Sequence, residues 1–279
     1  MSILQAVILG LTQGASEFAP ISSSGHLVLV PWMFGWSIVN DAHLNKTFDV
    51  ALHMGTLLGA LVYFRADVVR YLRAWLASIT ARAIRTTDER LAWALVIGTI
   101  PAVLAGVAFE GVIEEHLSQP WLIAIWLAAF GVVLWAVDRW AASDRGFDTI
   151  GVRSGLGLGT TQTLALAPGV SRSGITMTAA RVIGLDRTAS ARFSFLLALP
   201  VVFGAGVLKT VDLLTGGFHG YGAQFAWGFA ASAVSGFLVI AFLLRYLRTH
   251  SFAVFMWYRL AVAGLTFALI VTGVRPATV

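Results

Sequence analysis

Long apolar stretches alternate with short polar connections along most of the chain. Six stretches are long enough to cross a bilayer as a helix, which takes about 20 residues. They lie at residues 48–64, 91–109, 121–137, 193–213, 225–244 and 252–273. Two further segments, 3–36 and 155–192, have a polar centre between apolar runs that are each too short to cross. The pattern predicts an all-α polytopic membrane protein with about six transmembrane helices and two re-entrant helical hairpins.

The polar connections between these spans differ in character. Six arginines between residues 65 and 90 predict an amphipathic helix at the membrane interface. An acidic turn is predicted at residues 110–116, a kink at Pro101, a polar connection at 37–47 and a glycine-rich turn at 215–222. Lys209 and Asp212 are expected to form a local pair or to reach the interface.

Composition supports a membrane protein. Hydrophobic residues make up 58% of the 279 positions and charged residues only 12%, against about 45–50% and 25% in soluble domains. The absence of cysteine excludes disulfides and thiolate metal sites. The N-terminus lacks the basic start of a cleaved signal peptide, so none is expected. A net charge of +5 could indicate nucleic acid, but in a membrane protein the position of the basic residues is more informative.

The basic residues predict an orientation. With six alternating spans and two re-entrant hairpins, 14 arginines fall on one side, and only Lys46 and Arg275 fall on the other. The basic side is expected to be cytoplasmic. The first hairpin then enters from outside and the second from the cytoplasm. Arg172, Lys209 and Arg259 lie at or inside apolar stretches.

The two hairpins resemble each other at an offset of 149 residues. Matching positions are Leu9-Gly10 with Leu158-Gly159, Thr12-Gln13 with Thr161-Gln162, and Ser22, Ser24 and Gly25 with Ser171, Ser173 and Gly174. This similarity predicts one membrane domain, 1–279, built from a first repeat at 1–137 and a second, inverted repeat at 150–273. Such repeats commonly form a polar site where their broken helices meet.

The copies differ where reactive groups are expected. Glu17 aligns with Leu166, Ser23 with Arg172, and His26 with Ile175. One hairpin therefore supplies an acid and a base, and the other supplies a fixed cation, so a site is expected between them. An ordinary loop outside the membrane is the alternative for the segment from Gln13 to His26.

Each group has two interpretations. The Arg172 guanidinium, with the surrounding glycines and hydroxyls, suits phosphate oxygens, but it could instead pair with Glu17 to hold the halves together. His26 could be a general base for serine or water, or a hydrogen-bonded structural residue. Glu17 could bind a divalent cation shared with substrate. His53 could face the same cavity or only pack.

At these motifs the sequence resembles the BacA/UppP family of undecaprenyl-pyrophosphate phosphatases. The motifs are Gln13-x-x-x-Glu17 with Pro20-Ile21-Ser22-Ser23-Ser24-Gly25-His26, Phe48 to Thr56, and Pro168 to Thr176. The resemblance implies hydrolysis of undecaprenyl diphosphate to undecaprenyl phosphate, the lipid carrier for peptidoglycan and other envelope polymers. It also implies interdigitated inverted repeats, dependence on a divalent cation such as Mg²⁺ or Ca²⁺, and bacitracin tolerance when the enzyme is abundant.

The resemblance carries roles to individual residues. The catalytic set is Glu17, Ser23, His26 and Arg172, and Glu17 is also the expected metal ligand. The substrate-binding set is Gln13, Ser22, Ser24, Gly25, Ser171, Ser173, Gly174 and Thr176. Gln13 stands where many relatives have glutamate, which puts a two-carboxylate metal site in doubt. The motif does not decide whether Ser23 attacks phosphorus or orients water.

The expected location is the bacterial inner membrane, with a cleft open to the outer leaflet. Expected partners are the lipid substrate and membrane lipids, but not nucleic acid, and a homodimer is one candidate assembly. A flippase of the prenyl phosphate carrier and a small-solute transporter using Glu17 are the competing functions. Hydrolysis is favoured because transport alone needs no general base.

Overall fold

The computed structural model describes residues 1–36, 42–216 and 220–278. Within these ranges, only the backbone is described for residues 42–43, 110–116, 205 and 207–216. Over this part of the chain the structure is helical, without a β-strand, which confirms the predicted all-α class. The helices are α1 Ile3–Phe18, α2 Ser23–Phe34, α3 Ala42–Tyr63, α4 Arg65–Ala81, α5 Thr87–His116, α6 Pro120–Trp140, α7 Val152–Thr161, α8 Arg172–Val182, α9 Arg187–Gly216, α10 Gly222–Tyr246 and α11 Ala253–Val271. Two short 3-10 helices lie at Phe147–Thr149 and Gln162–Leu166.

Several helices are apolar and long enough to cross a membrane. Within the described residues these are Thr87–Phe109 of α5 and the whole of α6, α10 and α11. Helix α3 is a fifth when it is counted with α4, from which it is bent by 83°. The polytopic membrane class is thus supported, with four or five spans recognised by length and composition.

Helix α4 has the two faces of an interfacial helix. Its exposed apolar side chains are Val69, Leu72, Leu76 and Ile79, which recur at helical spacing along one face. A neighbouring face, with Tyr71, Trp75 and Ser78, packs against α5 through Trp93. The predicted amphipathic segment is therefore a helix, and it turns sharply away from α3.

Both polar-centred segments form short helical hairpins. The first consists of α1 and α2, which end and begin on either side of Ala19–Ser22. The second consists of α7, the 3-10 helix Gln162–Leu166 and α8. At about 1.5 Å per residue, the 12 residues of α2 and the 11 of α8 span only about half of the hydrocarbon core.

Close backbone contacts dock each hairpin on a long helix. Helix α1 packs on α10, where Gly10 meets the Gly228 carbonyl so closely that a Cβ would overlap it. Helix α7 packs on α5 in the same way, with Gly159 against Gly98. Small residues permit this approach, which is how helices associate in lipid. Each hairpin is thus held by a helix from the other half of the chain.

The open ends of the two hairpins, which lie away from their connecting loops, are at opposite ends of the helix bundle. At one end, the start of α1, the end of α2, the start of α10 and the C-terminal segment meet. The hydrogen bonds are Gln224 to Met1, Trp32 to Pro276, and Arg275 to Met33. At the other end, the start of α7 lies near α5, where Arg90 donates to the Asp148 carbonyl.

A buried charge cluster closes that second end. Asp138, at the end of α6, accepts from Arg181 Nε at 3.0 Å and from Arg187 Nε at 2.8 Å. The backbone N–H of Phe252 also donates to it. This cluster joins the ends of α6 and α8 to the starts of α9 and α11.

Two details differ from the sequence-based expectations. The predicted acidic turn at 110–116 is wrong for the backbone, because α5 continues to His116. Glutamate favours helix and no proline occurs between Pro101 and Pro120, so α5 can continue through its acidic end. Helix α9 likewise continues to Gly216, inside the predicted turn at 215–222. Residues 37–41 and 217–219 and the Lys209–Asp212 pair lie outside the described backbone or side chains.

Candidate functional site

The loops of the two hairpins share an unusual backbone conformation. Ser22 has a φ of 75° and Ser171 a φ of 77°, values uncommon for residues other than glycine. Each serine caps the following helix, with its Oγ accepting from Gly25 N at 3.3 Å or from Gly174 N at 3.1 Å. The repeated Ser-x-Ser-Gly pattern thus specifies the same strained helix start twice.

The Glu17 carboxylate is the centre at which the hairpins meet. Arg172 Nη2 lies 2.9 Å from its Oε1, across 155 positions of sequence. Ser23 Oγ donates to its Oε2 at 2.6 Å, and Gln13 Nε2 donates to the same oxygen at 2.9 Å. His53 Nε2 lies 3.6 Å from it, so His53 faces this cluster rather than only packing. Glu17 is only 5% exposed.

Two buried polar atoms at this centre lack a partner among the described residues. They are Arg172 Nη1, a donor, and Gln13 Oε1, an acceptor. Leaving a buried polar group unpaired costs about 1–3 kcal/mol, so native structures rarely do so without a reason. Both atoms belong to residues that bind Glu17, so the site contains one donor and one acceptor that no described residue uses.

His26 has a defined tautomer. Its Nδ1 lies 2.7 Å from the Ser22 carbonyl oxygen, and because a carbonyl can only accept, Nδ1 carries the proton. In the neutral ring Nε2 is then the acceptor, and it lies 2.8 Å from the Tyr258 hydroxyl of α11. His26 makes neither of these hydrogen bonds with Ser23, whose hydroxyl donates to Glu17 instead.

The remaining loop hydroxyls bind one hairpin to the other. Ser22 Oγ accepts from Gly169 N at 3.0 Å, and Ser173 Oγ donates to the Ala19 carbonyl at 3.0 Å. Ser171 and Ser173 lie 3.1 Å apart through their hydroxyls. These contacts fix the relative position of the two loops.

The other predicted binding residues lie on or beside the same loops. Thr176 Oγ1 donates to the Arg172 carbonyl, one turn earlier in α8. Ser24 is exposed, and its hydroxyl lies 3.4 Å from that of Ser22. Gly25 and Gly174 are the first-turn positions whose N–H groups the two capping serines bind.

Arg259 of α11 is an additional structural anchor of the site. Its guanidinium is fully buried and donates to carbonyl oxygens of both loops, Pro20 in the first and Gly169 and Val170 in the second. It also donates to two carbonyls of α6, those of Trp126 and Leu127. One signal of this role was visible in the sequence: Arg259 is a cation inside the last apolar span, which is a site hypothesis by default.

The oxygen donors suit a hard cation only in part. Glu17 and the unpaired Gln13 Oε1 are the kind of ligands that Mg²⁺ and Ca²⁺ prefer. Among the described residues, however, no group of three His, Asp or Glu side chains could hold a metal ion. The residues therefore fit a cation that is completed by oxygens from a bound molecule.

Comparisons with known proteins place the chain among bacterial membrane enzymes. The family described as bacitracin resistance protein BacA matches residues 6–265. An undecaprenyl-diphosphatase of Pelobacter propionicus is 44% identical over 98% of this chain and 99% of its own length. Similar matches are undecaprenyl-diphosphatases of Nocardioides sp., 42% identical over 99% and 100%, and of Geobacter sulfurreducens, 44% identical over 96% and 98%.

Proposed function

The chain belongs to the bacitracin resistance protein BacA family, and we infer that it is an undecaprenyl-diphosphatase. It hydrolyses undecaprenyl diphosphate to undecaprenyl phosphate and inorganic phosphate. The product is the lipid carrier on which peptidoglycan precursors are built. The observation that carries the assignment of the site is the Arg172–Glu17 contact, which joins the distinctive motifs of both hairpins.

Arg172 binds the diphosphate. Its Nη1 is buried and has no partner among the described residues, so its donors are available to a phosphate oxygen while Nη2 remains on Glu17. Guanidinium suits this task because its donors match phosphate geometry and its charge is permanent. As the bond between the terminal phosphorus and the bridging oxygen breaks, the same charge neutralises the leaving undecaprenyl phosphate.

Glu17, Ser23 and His26 handle protons. The Ser23 hydroxyl already donates to Glu17, so Glu17 is placed to take its proton as Ser23 Oγ attacks phosphorus and forms a phosphoserine, which a water then hydrolyses to inorganic phosphate. In the alternative route Glu17 takes the proton of a water that attacks phosphorus directly. His26 presents an unprotonated Nε2, which makes it the second base of the site. Neither the role of Glu17 nor that of His26 requires a direct contact between Ser23 and His26.

Glu17 and Gln13 would hold a divalent cation, with its remaining ligands supplied by the bound diphosphate. The unpaired Gln13 Oε1 supports this, and the shortage of carboxylates explains why no protein-only cage is expected. When bound, the cation supplies Lewis acidity and charge neutralisation at the diphosphate.

The architecture proposed is two inverted repeats, 1–137 and 150–273, with about six spans and two re-entrant hairpins. The matching φ values at Ser22 and Ser171 support it, as does the docking of α1 on α10 and of α7 on α5. The opposite directions in which the hairpins open also support it. Broken helices that meet in this way are a recurring membrane arrangement.

The protein is placed in the inner membrane with the arginine-rich end in the cytoplasm. That end collects the arginines of α4 and the Asp138 cluster, which agrees with the positive-inside rule. The site then opens to the outer leaflet, from which α1 and α2 enter. Helix α4 lies on the cytoplasmic leaflet, with its apolar face in the lipid and Arg65 and Arg73 near anionic phosphates. A homodimer stays a prediction.

Phosphate release from undecaprenyl diphosphate by the purified protein in detergent tests this function, because transport has no meaning without a membrane. We expect release by the wild type and a loss of at least about 100-fold in Arg172→Ala, the scale of removing a group that stabilises transition-state charge. Arg139→Ala, at an exposed arginine near the end of α6, should behave as the wild type. Absence of release, with movement of prenyl phosphate across liposomes, would support the flippase instead.

A further inference from the structure

A tyrosine hydroxyl from the last helix completes the hydrogen bonding of His26. Tyr258 Oη lies 2.8 Å from His26 Nε2, and the two rings are nearly parallel, with 13° between their planes. The contact joins positions 232 residues apart. Tyr258 directly precedes Arg259, which binds the backbone of both hairpin loops. Two consecutive residues of α11 thus anchor the site from one side.

The hydrogen bonds leave His26 only one nitrogen for proton transfer. Nδ1 donates to the Ser22 carbonyl, so any proton that His26 takes up must arrive at Nε2. That nitrogen is the one that Tyr258 holds. His26 is only 5% exposed, whereas Tyr258 is 42% exposed, so the hydrogen bond joins the buried imidazole to a residue at the protein surface.

We propose that Tyr258 is the positioning residue for His26 in phosphate release. Its hydroxyl donates to the neutral ring and, after Nε2 gains a proton, its oxygen accepts from the new N–H. A hydroxyl can do both by rotating, so the ring keeps its orientation and its partner in both protonation states. Because the Tyr258 hydroxyl fills the one lone pair of Nε2, a proton reaches the ring through it: the O–H proton passes to Nε2 while the oxygen takes up the proton released at the site, so one O–H bond breaks as another forms. This inference rests on the proposed hydrolysis and on His26 as a base within it.

Removing the hydroxyl alone separates this role from packing. Tyr258→Phe keeps the ring that lies against His26 and removes only its hydrogen bond. We expect kcat for undecaprenyl diphosphate to fall about tenfold or more, within the range that a general base contributes. KM should change less than about twofold, because the diphosphate is bound elsewhere, at Arg172. Tyr63→Phe removes a hydroxyl from a tyrosine packed among Phe64 and Phe237 and should leave both constants unchanged.

A double-mutant cycle with His26→Ala identifies the residue through which Tyr258 acts. If Tyr258 works through His26, the Tyr258→Phe penalty disappears when His26 is already alanine. A full penalty in that background, or a wild-type kcat in Tyr258→Phe, overturns the inference. If His26→Ala has no measurable rate, the test is the comparison of kcat between Tyr258→Phe and Tyr63→Phe. Equal kcat values in these two variants then overturn the inference. Phosphate release by the wild type in the same assay shows separately whether the hydrolase function holds.

Discussion

Ser22 shows how much one residue does in this site. It holds a left-handed backbone, caps α2, accepts from Gly169 across the hairpin boundary, and presents its carbonyl to His26. The left-handed backbone and the cap have opposite effects on stability. A side chain at this φ costs about 1–2 kcal/mol, and the cap stabilises the helix by a similar amount. Serine is therefore kept for its hydroxyl, at a position where glycine would fit the backbone better.

Replacing Ser22 by alanine and by glycine separates these two effects. Both variants lose the cap and the bond to Gly169, but only Ser22→Gly also relieves the positive φ. We expect Ser22→Ala to unfold at a lower temperature than Ser22→Gly, with both below the wild type, in thermal unfolding of the detergent-solubilised protein. Equal stability of the two variants would mean that the strain is absent.

The residues that carry reactive groups could be predicted from the sequence, and so could the pairing of Arg172 with Glu17, whereas the partners of His26 and Arg259 could not. Glu17, Ser23 and Arg172 occur in recognisable motifs, and the structure brings them together. Tyr258 and Arg259 escaped prediction because their partners are a distant imidazole and backbone carbonyls, which leave no mark in local sequence. Arg259 in an apolar span was visible, but nothing indicated which carbonyls it would bind.

At the scale of helices, glycine decides which elements can meet. Gly159 of α7 contacts the backbone of Gly98 in α5, whereas Gly157 of the same helix has nothing near the position of a Cβ. These two glycines lie in one short helix and have the same helix propensity, so they form a matched pair. Their difference is one of packing alone.

Valine at each position tests this packing. Gly159→Val should separate α7 from α5 and reduce the yield of monodisperse protein and its unfolding temperature, since overpacking costs about 1–3 kcal/mol or more. Gly157→Val should match the wild type in size-exclusion profile and stability. Equal behaviour of the two variants would argue against the α5–α7 contact.

Helix boundaries were harder to predict than helix class. Hydropathy located the apolar stretches, because lipid permits few alternatives to a helix. It could not show that α5 continues through its acidic end to His116, because charged residues at a membrane surface are compatible with both helix and turn. The break between α3 and α4 was predicted by the change from apolar to arginine-rich sequence.

At the scale of the whole molecule, the two ends of the bundle should lie on opposite sides of the membrane. The chain has no cysteine, so a single introduced thiol reports its own position. Asp144→Cys marks the end with the Asp138 cluster, and Thr278→Cys marks the end with the C-terminal segment, both at exposed positions. In intact cells stripped of their outer membrane, a membrane-impermeant thiol reagent should label only Thr278→Cys. Labelling of only Asp144→Cys would reverse the proposed orientation.

The most direct test of convergence between the hairpins is phosphate release by Glu17→Gln, Arg172→Gln and the double variant. Because the two residues form one unit, we expect each single change to cost about 100-fold or more and the double variant to be little worse than the poorer single one. Size-exclusion profiles of all three should match the wild type. If the two losses instead multiply in the double variant, Glu17 and Arg172 act independently, and the hairpins do not form one site.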